Sequence, residues 1–155
     1  MSHLAGRGIL SALLVLLVHV AAWAEPVPVT ITSLDPRFDQ LVPKNAQVEK
    51  IADGFTWVEG PVWHKQGGYL LFSDIPANRV YQWKPGKGTS VYLKNSGYSG
   101  STPFAGKEPG SNGLTFSADG QLYLCRHGDR QIGRLEADGR ITPVAARFDG
   151  HLINS

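Results

Sequence analysis

The sequence predicts an all-β protein assembled from repeated four-stranded antiparallel units, the form taken by the blades of a β-propeller. Three observations carry that expectation. Trp57-Val58-Glu59-Gly60-Pro61-Val62-Trp63 has an echo 53 positions later in Ser111-Asn112-Gly113-Leu114-Thr115-Phe116. Each copy is followed by the same succession of turn, strand-like run, turn and run, and a repeat of this length made only of short strands points to a stacked or radial array. The chain is also turn-rich, with 18 glycines and 10 prolines in 155 residues. A β-sandwich has many short strands too, but it does not by itself repeat the order of turns and the matched positions Trp63 with Phe116 and Trp83 with Leu135.

Residues 1–24 read as a cleaved targeting segment. Arg7 gives a positive start, Ile9 to Ala22 an apolar core of 14 residues, and Ala22-Trp23-Ala24 a small-x-small cleavage site, so the mature chain is expected to start at Glu25. Fourteen residues fall short of the ~20 that span a bilayer, so no membrane attachment is expected after cleavage, and the domain is expected in a periplasm or outside the cell.

Residues 25–54 form a lead-in. Glu25 to Thr32 contains two prolines that forbid helix and is expected to be extended. Asp35-Pro36 offers a helix cap followed by a first-turn proline, predicting a short helix from Pro36 to about Val42 that Pro43 stops. Gln47 to Ala52 predicts a strand ending at Asp53-Gly54, with no partner in its own unit.

Residues 55–155 hold two units and the start of a third. The first unit has strands expected at Gly60–Trp63, Tyr69–Ser73, Arg79–Trp83 and Thr89–Leu93; the second at Gly113–Phe116, Gln121–Arg126, Gln131–Leu135 and Ile141–Ala145. Glycine, proline or asparagine stands in most of the separators, and two of them, at Asp119-Gly120 and Asp138-Gly139, are strong hairpin signals. Between the units, Asn95 to Gly110 is a long Gly/Ser/Pro-rich loop, of a length more often functional or lid-like than a bare connector.

Composition excludes several roles. A net charge of +2 without a dense basic cluster leaves no footprint for nucleic acid. One cysteine, Cys125, excludes an internal disulfide, and its place in an alternating strand suits a buried apolar role. Gly97-Tyr98-Ser99-Gly100-Ser101 lacks a strand-to-helix context, which disfavours a nucleophilic serine. No pattern here sets an oligomeric state.

The candidate site residues come from the repeat. Each copy opens with a polar side chain, Glu59 or Asn112, in front of a short apolar run; around an axis the two would hold equivalent places and converge. A glutamate at a strand start is ordinarily a solvated charge and an asparagine before glycine a turn residue, so the equivalence is what raises them. His127, in the turn after the second strand of the second unit, is a candidate substrate contact. Asp74 is expected to cap the Ile75–Asn78 turn, and Asp129 and Arg130 to cap their own turn or pair with each other. His64 and His151 have no partner at metal spacing. Trp57, Trp63 and Trp83 are expected to pack between blades, with Trp57 nearest the channel rim.

Glu59-Gly60-Pro61-Val62-Trp63, Leu71-Phe72-Ser73-Asp74-Ile75-Pro76-Ala77-Asn78-Arg79-Val80, Gly110-Ser111-Asn112-Gly113-Leu114 and His127-Gly128-Asp129-Arg130 together resemble the gluconolactonase, regucalcin (senescence marker protein) and luciferin-regenerating enzyme family, most of all its bacterial gluconolactonase branch, from about Asp35 to Ser155. The resemblance implies a six-bladed propeller that hydrolyses sugar lactones with a divalent cation, usually calcium, in the channel. It implies Glu59 as the first-blade metal ligand and Asn112 as a channel asparagine that contacts substrate. Regucalcin has an arginine two residues before that asparagine; Gly110 stands here, so contacts at that point must differ. Such a cation takes oxygen ligands, would polarise a lactone carbonyl, and would acidify an attacking water. A non-catalytic propeller binding a ligand or a protein is the alternative, although it has no reason to keep a carboxylate aimed down its axis.

The remaining ligands and the catalytic base are expected beyond Ser155, since His151-Leu152-Ile153-Asn154-Ser155 reads as the lead-in to a third blade. Two blades leave faces and edges uncovered. The 155-residue chain alone is therefore expected to aggregate or stay partly unfolded and to show no lactonase activity. A soluble monomer with a cooperative melt and measurable lactone hydrolysis would overturn the propeller reading.

Overall fold

The computed structural model describes residues 25–154, so the targeting segment expected over residues 1–24 lies outside the described residues. The lead-in contributes β1 (Glu25–Val27) and β2 (Val48–Lys50). Two four-stranded antiparallel sheets follow, each with its strands in chain order: β3 (Val58–His64), β4 (Tyr69–Asp74), β5 (Arg79–Lys84) and β6 (Gly88–Lys94), then β7 (Ser111–Phe116), β8 (Leu122–Arg126), β9 (Gln131–Leu135) and β10 (Ile141–Ala145). These are the two blades of a partial β-propeller, and all eight of their strands were legible to within about two residues at each end. β11 (Arg147–Phe148) and β12 (His151–Leu152) close a small hairpin.

The lead-in departs from expectation in two ways. Instead of a helix over Pro36–Val42 there is a 3-10 turn at Phe38–Gln40. Asp35 does accept the Arg37 N–H at 2.8 Å, but Leu41 is 80% exposed, so this turn has no apolar face to bury and a segment this short does not hold a helix on propensity alone. The strand β2 is not unpartnered: it pairs antiparallel with β1, Glu25 opposite Lys50 and Val27 opposite Val48. Lys50 Nζ lies 3.0 Å from Glu25 and 3.2 Å from Asp53, which ties the two strands and the following turn with exposed charges.

The blades face each other through a small aliphatic core. Leu71 and Val80 of the first meet Leu114, Leu122 and Leu124 of the second, with Val62, Tyr69, Leu93, Phe116 and Leu135 packed around them. Phe72 faces the other way, into edge-to-face contact with Phe55 at 4.9 Å; Phe55 in turn meets Tyr81 at the same separation. Trp57 and Trp63 are about half exposed, 53% and 48%, so the aliphatic residues fill the space between blades and these two tryptophans do not. Cys125 is only partly buried, its sulfur lying over Gly113.

At Gly60 the blades approach backbone on backbone. Gly60 has φ +56°, and a Cβ there would meet the Asn112 carbonyl oxygen at 2.3 Å and the Gly113 Cα at 2.9 Å. Glycine satisfies both demands, since it tolerates the left-handed conformation and leaves the neighbouring strand its room. Gly60→Ala in the full-length protein should therefore lose at least about 2 kcal/mol of stability in chemical denaturation, strain and overlap acting together. Unchanged stability would mean that the inner strands do not meet here.

Candidate functional site

The inner strands β3 and β7 lie side by side, and the ladder register fixes which residues are equivalent. Val58 pairs with Asp74 and Ser111 with Arg126, each pair standing just before a four-residue turn, at Ile75–Asn78 and His127–Arg130. At the other end Trp63 pairs with Leu70 and Phe116 with Leu122. Counted from either end, Glu59 and Asn112 occupy the same place in their blades. Both ladders are interrupted there, between Glu59 and Val62 and between Ser111 and Leu114, and such bulges re-aim the side chains that they displace.

Glu59 is exposed. Its flank is a cavity of about 260 Å³ whose walls include Ile51, Phe55, Val58 and Phe72. Asn112 is half-buried, with its side-chain oxygen out of solvent. The contact of Gly60 with the Asn112 carbonyl brings the two positions together across the blade junction. His127 stands at the same end of the second blade. By register it lies one step outward of the Ser111–Arg126 pair, whereas Asn112 lies one step inward, so the structure separates these two candidates by a ladder pair. The His127 Nδ1 is buried and makes no hydrogen bond among the described residues.

Three serines beneath Asn112 went unnoticed in the sequence. Ser73, Ser96 and Ser111 are each fully buried. Ser73 Oγ lies 2.8 Å from Ser111 Oγ and donates to the Asn112 carbonyl at 3.0 Å; Ser96 Oγ accepts the Ser111 N–H at 3.2 Å. Ser73 is also the ladder partner of Glu59. A serine next to Leu-Leu-Phe in a strand carries no sequence signal of such a role, because only the neighbouring blade supplies its partners.

The acidic turn residues do other work than expected. Asp74 does not cap its own turn, which closes by the Asn78 N–H donating to the Ile75 carbonyl at 3.1 Å. Instead its carboxylate accepts the Thr56 and Trp57 N–H groups at 3.2 and 3.1 Å, because its ladder position opposite Val58 points it at the chain entering β3. Asp129 and Arg130 do not pair with each other. Asp129 meets Arg126 at 2.8 Å and accepts the Ser99 hydroxyl at 2.7 Å and the Ser99 N–H at 3.1 Å. Arg130, at φ +53°, points away and donates to the carbonyls of Leu152 and Ile153.

These contacts turn the loop of residues 95–110 into a strap across both blades. On the first blade, the Asn78 side chain accepts the Gly97 and Tyr98 N–H groups at 2.8 and 3.2 Å and donates to the Tyr98 carbonyl at 2.8 Å. On the second, Arg126 donates to the Ser96 and Asn95 carbonyls at 3.1 and 3.3 Å. Arg126 is 4% exposed; burial draws its guanidinium below the usual arginine range while the Asp129 charge opposes that shift. The strap ends at Gly110, whose N–H donates to the Ile75 carbonyl at 2.9 Å, where a Cβ would meet the same oxygen at 2.5 Å. The absence of an arginine at this position thus has a local cause: no side chain fits.

As to a metal, the exposed carboxylate of Glu59 is the hard oxygen donor that calcium takes. Among the described residues no group of three or more His, Cys, Asp or Glu converges.

Comparison with known proteins adds the following. Residues 57–154 match the family described as the SMP-30/Gluconolactonase/LRE-like region. A gluconolactonase of Zymomonas mobilis is 40% identical over 128 residues, which is 81% of this chain and 36% of that protein, so the chain spans little more than a third of that relative's length. A solved gluconolactonase from Xanthomonas campestris superposes with a TM-score of 0.67 at 28% identity, covering 87% of this chain and 41% of its own. A second solved structure, provisionally assigned as a gluconolactonase, gives 0.60 at 31% identity over 77% of this chain and 37% of its own.

The clasp that holds the strap is open to test in the full-length protein. Asp129→Ala leaves Arg126 buried without its anion, at a cost of about 3 kcal/mol, and should open residues 95–110 to limited proteolysis. Replacing both residues by leucine should recover part of that stability. If Asp129→Ala melts and digests like the parent, Arg126 is held by the strap carbonyls alone.

Proposed function

The chain belongs to the SMP-30/gluconolactonase/LRE-like family, and on that premise we propose that this protein hydrolyses a sugar lactone, an aldonolactone such as gluconolactone, with calcium or another divalent cation held at the mouth of its inner strands. The observation that carries the reading is the equivalence of Glu59 and Asn112 on two inner strands in backbone contact. An exposed carboxylate and a half-buried amide at one register position are a poor choice for strand packing and a good one for a polar ligand on the axis.

In this reading Glu59 holds the cation. When bound, the cation supplies a Lewis acid for the lactone carbonyl and lowers the pKa of the attacking water. Asn112 orients the substrate through its amide nitrogen, which carries two N–H donors for the hydroxyls of a sugar, its side-chain oxygen being out of solvent. Its backbone is locked by Ser73 and Gly60, so little ordering remains to be done when substrate arrives. His127, on the outer side of the Ser111–Arg126 pair and so two steps farther out than Asn112, contacts the portion of the ligand nearer solvent. The strap of residues 95–110, tied to Asn78 and Arg126, holds the chain that leads into Asn112. Export is part of the same proposal: N-terminal sequencing of the secreted form should begin at Glu25.

Support also comes from the relatives, both the curated one and the solved ones being described as gluconolactonases. The measurement that bears most directly is made on Glu59→Gln in the full-length protein. The variant keeps its size and removes a charge. Calcium affinity by calorimetry should fall by at least about a hundredfold, more than the loss of a mere supporting partner costs, and lactone hydrolysis should fall with it while the circular dichroism spectrum is unchanged. Parent activity that survives exhaustive chelation would remove the cation from this mechanism.

A further inference from the structure

We infer that Ser73 is a positioning residue for Asn112, fixing the candidate asparagine of one blade from the strand that pairs with the glutamate strand of the other. The inference rests on the reading of Glu59 and Asn112 given above.

The protons can be assigned by elimination. Ser73 Oγ lies within hydrogen-bond distance of two groups, the Asn112 carbonyl at 3.0 Å and Ser111 Oγ at 2.8 Å. A carbonyl only accepts, so the single Ser73 hydroxyl proton goes to Asn112. The contact with Ser111 must then use the Ser111 proton. The result is a directed chain in which Ser111 donates to Ser73 and Ser73 donates to the Asn112 carbonyl, each bond polarising the next. The Ser111 N–H is meanwhile taken by Ser96 Oγ at 3.2 Å, which fixes the residue preceding Asn112 from the strap side. All three serines are fully buried, so water does not substitute for a lost partner.

Position matters as much as bonding. Ser73 is the ladder partner of Glu59, so one residue is tied by its backbone to the glutamate strand and by its side chain to the asparagine strand. The corresponding place in the second blade, counted back from its turn, is Cys125. A thiol is a weak donor, so the device is specific to this junction and not a general feature of the blades.

The direction of the chain separates a positioning role from simple packing. Ser73→Ala removes the bond to Asn112, whereas Ser111→Ala leaves that bond in place and removes only the donor behind it. In the full-length protein, Ser73→Ala should raise KM for glucono-1,5-lactone and weaken gluconate binding by calorimetry about tenfold, the usual cost of losing a supporting partner. Ser111→Ala should change either by no more than about twofold, and calcium affinity should hold in both variants, because the Ser73 hydroxyl bonds to Ser111 and Asn112 and not to Glu59. Ser73→Cys, close in volume and poor as a donor, should behave like Ser73→Ala and serves if the alanine variant does not fold. In an Asn112→Ala background the effect of Ser73→Ala on gluconate binding should vanish, since its route runs through Asn112. Equal losses in Ser73→Ala and Ser111→Ala, or effects that add fully with Asn112→Ala, would overturn the inference. If Asn112→Ala alone leaves KM and gluconate binding unchanged, the substrate role of Asn112 falls first, and the role of Ser73 falls with it.

Discussion

The structure depends on how closely two inner strands are allowed to approach. At Gly60 there is no room for a side chain, since any Cβ would lie 2.3 Å from the Asn112 carbonyl. This contact sets the spacing of the blades at the axis, and the aliphatic core of Leu71, Val80, Leu114, Leu122 and Leu124 fills the space farther out. A larger residue at position 60 would push β7 away and carry Asn112 with it. The glycine between Glu59 and Pro61 is therefore a condition on the site as much as on the fold. Its left-handed φ and the interrupted ladder at the same point are two expressions of one local distortion.

A second regularity concerns how each blade secures the chain that enters its inner strand. Asp74 and Arg126 occupy equivalent places, each the last ladder residue before a four-residue turn. Each is buried, and each ties down backbone outside its own hairpin, the residues entering β3 for Asp74 and the start of the strap that leads to β7 for Arg126. Their charges are opposite because the backbone groups presented to them are opposite. Asp74 meets the N–H groups of Thr56 and Trp57 and must accept, whereas Arg126 meets the carbonyls of Asn95 and Ser96 and must donate. Charge at such a position follows from local backbone direction and need not signal chemistry. The same reasoning moves Asp129 from turn cap to counter-ion, since a guanidinium that is 4% exposed requires one.

The blades were legible because their information is local. Turn residues such as Asp119-Gly120 and alternating apolar runs specify hairpins within a few residues, and the 53-position echo located the inner strands. Glu59 and Asn112 were found through that echo, and the ladder register gives them the same place. What stayed hidden depends on contacts between segments far apart in the chain. The pairing of β1 with β2 joins residues more than twenty positions apart through strands of three residues each, too short for a pattern to announce. Ser73, Ser96 and Ser111 meet across a blade junction, and serine is so common on surfaces that its burial cannot be read from its neighbours. The helix expected at Pro36–Val42 failed for the converse reason: its capping signals were present, but the burial that sustains a short helix was not.

The loop of residues 95–110 shows how a length that suggests a lid can describe something fixed. A lid needs few ties and a hinge. This segment is tied by Asn78 on one blade and by Arg126 and Asp129 on the other, and its ends are further held by Gly97 accepting the Asp129 N–H at 3.0 Å and by Gly110 donating to Ile75. Gly97, Gly110 and Gly128 lie where any Cβ would strike backbone, so the strap is packed against both turns without intervening side chains. Opening it would expose a buried arginine and strip Asn78 of three hydrogen bonds together. Because the strap runs directly into Ser111 and Asn112, its rigidity passes to Asn112 through the chain itself, and through Ser96 across the Ser111 N–H. If Asn112 contacts substrate as proposed, the backbone that presents it is set during folding and not by closure of the loop.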